Sequence, residues 1–257
     1  MSTPVNYPYG NILGVHVNAI CMQDALDALQ FWISTRQPHY VCVTPAFSVL
    51  QGHDHPDLRK IYNSSGLTTP DGAPVTWLLK WQGFKCVERV YGPDFLLAAC
   101  QRSIQLGWKH YFYGGTSEVQ EALKEKLTAS FQGLIIVGAE SPPFRPLTPE
   151  EDEETIARIS AARPDILWVG LGAPRQDRWM ASHLDSLGLP VLVGVGAAFD
   201  FVSGCKPQAP IWMRRNGLEW LFRLASEPKR LWRRYLLGNP RFMWLYFLQT
   251  IGVLNFE

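Results

Sequence analysis

Six short runs rich in β-branched or aromatic residues, at 40–43, 86–90, 110–113, 134–137, 166–169 and 191–195, are each followed by a Gly, Pro or Asp turn. Most of the intervals, 24–35, 93–106, 117–130, 149–162 and 175–187, carry apolar residues at helical spacing. Two helix starts are well marked, by Thr116-Ser117-Glu118 and by Thr148-Pro149-Glu150. A threonine hydroxyl accepts from an unpaired first-turn N–H, and proline suits the first helical position. Strand, turn and helix in alternation define βα units, which pack as a mostly parallel sheet with helices on its faces. The expected fold class is therefore α/β and Rossmann-like.

In such sheets ligands bind beyond the carboxyl ends of the strands. The residues expected there are Thr44-Pro45, Thr69-Pro70-Asp71-Gly72, Arg89-Val90-Tyr91-Gly92, Gly114-Gly115, Gly172-Ala173-Pro174-Arg175-Gln176 and Gly196-Ala197-Ala198-Phe199-Asp200. All but the first contain glycine, which lets backbone approach a ligand closely. A loop that opens a helix also presents free N–H groups to phosphate. A nucleotide or nucleotide-sugar is the natural ligand. The run GVGAAFD from Gly194 lacks the third glycine and the following βαβ unit of a dinucleotide fingerprint, so a dehydrogenase is disfavoured. Neither a phosphate-loop GxxxxGK[ST] nor a GxSxG elbow occurs.

Charge is distributed unevenly. Residues 214–241 hold eight Lys or Arg against two acids, a net +6, while the rest of the chain carries −5 and the total is only +1. Tryptophans are interleaved with those arginines, a combination suited to an anionic membrane surface or to a phosphorylated substrate held there. Pro228 divides the stretch into two short amphipathic helices. At 47% hydrophobic and 18% charged the chain is not disordered, and some apolar surface is expected to be covered by a partner. No apolar run reaches the roughly 18 to 20 residues of a membrane span, because 242–254 is interrupted by Gln249 and Thr250. That segment is expected to lie on a membrane rather than cross it. The start, MSTPVNYPYG, has neither the basic region nor the apolar core of a secretory signal, so a cytoplasmic location is expected. Five cysteines without a CxxC pair read as reduced thiols. The HDHPD cluster at 53–57 reads as a surface loop in preference to a metal site, and the Pro-rich stretch from Ala139 also reads as a loop. The organisation expected is a core over 1–205 and a basic, aromatic C-terminal appendage over 206–257.

Five motifs then narrow the reading: TPDGAPVTWLLKWQG from Thr69, RVYGPDF from Arg89, GLGAPRQDRW from Gly170, GVGAAFDFVSG from Gly194 and GLEWLFRLASEPKRLWRRY from Gly217. In this order they closely resemble the WecG/TagA/CpsF glycosyltransferase family, across almost the whole chain. The resemblance implies inverting transfer of a sugar from a UDP-sugar to a polyprenyl-diphosphate-linked saccharide at the cytoplasmic membrane face. It implies no cofactor or bound divalent metal, peripheral attachment to the inner face of the membrane through the helical appendage, and self-association through the same surface. Asp71 matches the family's proposed base, with Thr44 beside it. Arg89 matches an arginine suited to the donor diphosphate, and Gln176, with Gly172, Pro174 and Gly196, matches the donor pocket. Arg223, Arg230 and Arg233 match arginines that meet the lipid diphosphate. Ala46 departs from the asparagine that many relatives carry there, which removes a polar contact near the base and leaves the donor open among glucose, N-acetylmannosamine and a uronic acid. The wording of PDGAP and RVYGPD is closest to exopolysaccharide-type members and tilts the donor toward glucose or another hexose. The alternatives are a nucleic-acid-binding module built on the same basic, aromatic stretch, and an inactive membrane scaffold. The apolar run at 242–247 favours lipid over nucleic acid.

Overall fold

A computed structural model describes residues 6–256. An antiparallel hairpin, β1 (Tyr9–Ile12) and β2 (Val15–Asn18), precedes α1 (Met22–Thr35). There follow β3 (His39–Thr44), α2 (Ala46–Asp54), α3 (Pro56–Asn63), β4 (Leu67–Pro70), α4 (Ala73–Trp81) and α5 (Gly92–Leu106). The second half alternates more strictly: β5 (Lys109–Gly114), α6 (Ser117–Ser130), β6 (Ile135–Glu140), α7 (Pro149–Ala162), β7 (Ile166–Gly170), α8 (Arg175–Leu187), β8 (Val191–Gly194) and α9 (Ala198–Ser203). The last segment is helical throughout: α10 (Ile211–Arg215), α11 (Glu219–Ser226), α12 (Pro228–Trp232), a π-helical turn over Arg233–Leu237, and α13 (Gly238–Thr250).

Six strands form one parallel sheet in the order β4-β3-β8-β7-β5-β6. Alternate residues of each strand point to opposite faces, and the burial follows. Val41, Val43, Phe112, Trp168 and Val193 pack under α1, α5, α6 and α9, while Tyr40, Cys42, Tyr113, Val169 and Leu192 face the hairpin and the helices of the other side. Both faces are therefore covered, which is why these strands read as nearly continuous apolar runs. In the first core the Trp168 indole donates to His110 Nδ1 at 2.9 Å, and His110 Nε2 donates to Ser103 Oγ at 2.7 Å. Burial pushes the His110 pKa down to about 4, so the ring is neutral and the chain of donors is complete.

The 86–90 run is not a strand. Its valines are buried, but Val90 N–H bonds the Pro70 carbonyl and Glu88 N–H bonds the Ile20 carbonyl, outside any ladder. The edge strand is instead β4, Leu-Thr-Thr-Pro, in which both threonines are buried. The 53–57 cluster is the junction of α2 and α3, not a loop, and among the described residues no three metal-ligating side chains converge. Asp54 pairs with Arg241, and Asp57 with Arg178. Helix α11 stops just before Pro228, as expected, but α12, the π-turn and α13 then run on together, and Phe242 is fully buried in the second core. No described helix is long and apolar enough to cross a membrane.

Candidate active site

A cleft of about 480 Å³ opens at the carboxyl ends of the strands, bounded on one side by the post-strand loops and on the other by the C-terminal helices. Of the expected site residues, Asp71, Gly172, Gln176, Gly196, Arg223 and Arg230 line it.

Asp71 directly follows β4, and its N–H bonds the Thr44 carbonyl at 3.3 Å. The sheet thereby fixes its backbone next to β3. Its side chain is only 15% exposed, and Oδ1 accepts from Arg89 Nε at 2.9 Å. The other carboxylate oxygen takes no hydrogen bond from the described residues. Arg89 does not line the cleft: Nη1 reaches Glu219 Oε2 at 2.8 Å, and its guanidinium carbon sits 4.0 Å from the Tyr91 ring centre. Burial works against the charge on Arg89, but Asp71 and Glu219 overcome it and hold the pKa above the ordinary value. A guanidinium spent on two carboxylates and a ring has little left for a ligand. Thr44 adjoins the cleft without facing it, since it is fully buried and its hydroxyl donates to the Cys42 carbonyl at 3.0 Å.

The opposite wall is built by the turns after β7 and β8. Gly172 and Gly196 have φ of +80° and +55°, conformations costly for any side chain, and both turn the chain back over the strand ends. Gln176 is almost fully buried, and its Oε1 accepts from the Gly172 N–H at 3.1 Å, fastening the loop to the start of α8. Pro174 caps α8 just outside the lining, while Ala173 and Arg175 on either side of it face the cavity. Behind Gln176 lies Asp177, bonded by the Tyr62 hydroxyl at 3.1 Å and raised by burial to about 6.

The third wall is cationic. Arg223 and Arg230 line the cleft with Arg175, Lys206 and Arg234, against Asp71 and Asp200. Arg230 is paired with Glu227, and Lys206 with both Asp200 and Glu227. Arg223 and Arg234 have Nε–H groups that are buried without a partner among the described residues. Burial, together with crowding by Arg223 and Arg230, pulls the Arg234 pKa below its ordinary value. Its guanidinium lies 4.3 Å from the centre of the Phe47 ring. Arg233, expected at this wall, is exposed and lies over Trp232 instead. Both arginines open the π-turn, Arg233 exposed and Arg234 half-buried at the cleft. Of the paired Arg233-Arg234 letters, only the turn geometry selects the second. Ala46, at the start of α2, is buried in the second core, and its neighbour Phe47 supplies the face on which Arg234 rests.

A cleft at the strand ends, with two carboxylates among several cations, belongs to an α/β transferase of phosphorylated substrates. Residues 10–254 match the Glycosyl transferase WecG/TagA/CpsF family. The chain belongs to that family and is a glycosyltransferase. It is 29% identical over 189 residues to an N-acetylglucosaminyldiphosphoundecaprenol N-acetyl-beta-D-mannosaminyltransferase of Bacillus spizizenii, covering 74% of this chain and 71% of the relative. The protein of the same name from Bacillus subtilis is 27% identical over 198 residues, covering 77% and 73%.

Proposed function

We propose that this enzyme moves a sugar from a UDP-sugar to a polyprenyl-diphosphate-linked saccharide with inversion, in the synthesis of a cell-surface polymer. The observation that carries the reading is the pairing, in one cleft, of a carboxylate with one free oxygen and two arginines whose Nε–H groups have no partner. Asp71 accepts the proton of the attacking acceptor hydroxyl, a role that needs a fixed, ionised carboxylate within hydrogen-bond reach. Departure of UDP leaves negative charge on the diphosphate, and preorganised cations stabilise that charge as it develops. Arg223 and Arg234 are the donors best placed for it, with Arg230 toward the lipid diphosphate. Arg89 acts on the base rather than on the donor. Thr44 and Gln176 serve by fixing backbone, and Gly172 and Gly196 leave room for the nucleotide. Transfer is expected to survive chelation of divalent cations, because these arginines supply the charge.

We also propose that residues 206–257 form an appendage that rests peripherally on the inner membrane face, where copies of the chain self-associate. Trp212, Trp232, Leu237, Trp244 and Phe247 are exposed large apolar residues beside the basic stretch, and Trp77 and Trp81 on α4 add to them. Indole rings settle at headgroup depth and arginines meet anionic lipid. The donor remains the variable. The motif wording favours a hexose, whereas both named relatives are N-acetyl-mannosaminyltransferases.

The test is transfer from a panel of radiolabelled UDP-sugars to a polyprenyl-diphosphate-sugar acceptor in vesicles, comparing the intact protein with Asp71→Asn. One donor should be used, with transfer falling roughly 10²- to 10⁴-fold in the variant and UDP binding retained. An active Asp71→Asn protein would remove the base from this account.

A further inference from the structure

Helix α4 starts two residues after Asp71 and belongs to the core, yet one of its faces is bare. Leu78 and Leu79 are buried, whereas Trp77 is 52% and Trp81 70% exposed, with the exposed Lys80 on the same side. Residues three and four apart share a helix face, so these three side chains form one stripe. Single exposed apolar residues need no partner, but two indoles one turn apart mark a contact surface. We propose that this face of α4 is a second membrane-docking element, carried by the core, which seats the mouth of the cleft at the lipid headgroups. Docking of this kind rests on the reading of the acceptor as lipid-linked and of the appendage as membrane-bound.

A bilayer is the occupant that the surroundings select. The stripe is continuous with the appendage at both ends. Near its start lies the bend at Gly217, between α10 and α11, where an added Cβ would stand 2.8 Å from Ala73 Cβ and 3.7 Å from the Trp77 ring. At its end Gln82 donates to the Tyr246 hydroxyl at 3.1 Å, beside the exposed Met243, Trp244 and Phe247 of α13. Charge agrees, because residues 73–85 contain Lys80 and Lys85, both exposed, and no acid. Anionic headgroups attract such lysines, whose stems lie along apolar surface while the amines reach phosphate. A second copy of the chain fits less well, since protein interface cores are depleted in lysine. Position completes the case. At about 1.5 Å per residue, Trp77 stands about 6 Å along the helix axis from Ala73, and Trp81 about 12 Å. An acceptor hydroxyl tethered to a lipid cannot rise from the membrane by more than its saccharide and diphosphate. Asp71 meets it only where the protein touches the bilayer close by, and Gly72 alone separates Asp71 from α4.

The experiment uses the full chain with phosphatidylcholine vesicles containing phosphatidylglycerol, comparing wild type, Trp77→Ser with Trp81→Ser, and Trp77→Tyr with Trp81→Tyr. Flotation is read first. Transfer is then measured to a polyprenyl-diphosphate-sugar in vesicles and to the same sugar diphosphate on a short, water-soluble isoprenyl chain. The serine pair should float about tenfold less and lose roughly fivefold or more in vesicle transfer, with short-chain transfer within about twofold of wild type. The tyrosine pair, still amphipathic, should float within about threefold of wild type. Flotation of the serine pair equal to wild type overturns the proposal, and if that pair also dissociates a wild-type dimer in solution, the face is covered by a second copy instead. An equal loss with both acceptors overturns it too, because the tryptophans would then be structural. A wild type that does not float removes the membrane reading itself, and this docking face with it.

Discussion

The two sides of the cleft are built on opposite electrostatic plans. On the sheet side most polar groups at the cleft are spent internally, Gln176 on Gly172, Thr44 on Cys42 and Arg89 Nε on Asp71, and the unpartnered buried atoms there, such as Thr69 Oγ1, are neutral. On the C-terminal side Arg223 and Arg234 keep Nε–H groups buried and unpartnered among the described residues. A satisfied wall is stable without a ligand. A wall of crowded, partly desolvated cations is stabilised by whatever anion enters. The difference teaches that shape and charge are supplied by separate stretches of chain, the loops giving form and the helical segment giving affinity for phosphate.

The sharpest way to break this contrast is to remove the unpartnered cations. Arg223→Ala with Arg234→Ala should lower kcat/KM by roughly 10²- to 10³-fold, in line with the loss of preorganised donors to developing charge. Arg233→Ala, on an exposed residue, should cost less than about threefold in the same assay. Equal losses at Arg233 and Arg234 would erase the assignment made from the π-turn.

Next in size is a test of the satisfied side, the buried His110 network. The unfolded-state pKa of 6.5 exceeds the folded value of about 4, so the unfolded chain binds the extra proton below pH 6.5. Stability from this group is complete above that pH and is lost as pH falls toward 4, by about 3 kcal/mol. Urea unfolding of wild type between pH 7 and 4.5 should show a steeper fall than His110→Gln. Parallel curves would mean that His110 is not buried neutral.

Smaller still is the effect expected at the outer surface. Trp212 and Trp244 are each 59% exposed, so Trp212→Ser with Trp244→Ser should leave the melting temperature unchanged. Partition onto anionic vesicles should drop about tenfold, ~1.4 kcal/mol. Unchanged flotation would sink membrane contact through these rings. Substitution is preferable to deletion of residues 214–257, because Phe242 belongs to the second core.

The strictly alternating half of the fold was legible because covered parallel strands are apolar on both faces and their helices carry marked starts. Strand β4 was not: Leu-Thr-Thr-Pro has no apolar alternation, and of its two buried threonines Thr68 is bonded to Ser65, Tyr62 and Asn18 while the Thr69 hydroxyl has no partner among the described residues. Valines at 87 and 90, beyond α4, supplied a false strand signal. Asp71 and the glycine turns were placed by position after a strand and by motif. The surroundings of Arg89 were not legible for a physical reason, since no spacing reveals that a guanidinium will lie against Glu219, 130 residues away in the chain. That Arg234 and not Arg233 lines the cleft needed the helix register itself.

Helix α13 is fastened well away from the cleft: Arg241 to Asp54, Gln249 to the Leu13 N–H and the Asn11 carbonyl, and the Phe256 carbonyl to Asn11. The arginine-bearing stretch is thus a strap buckled at both ends rather than a loose tail, held upstream by the sheet and downstream by the hairpin. Any opening must come from slack within the strap, at the bends around Gly217 and Pro228 and in the wide π-turn. Pro228 lies between Arg223 and Arg230, so slack there parts the first arginine from the other two, while the two buckles set how far either can go.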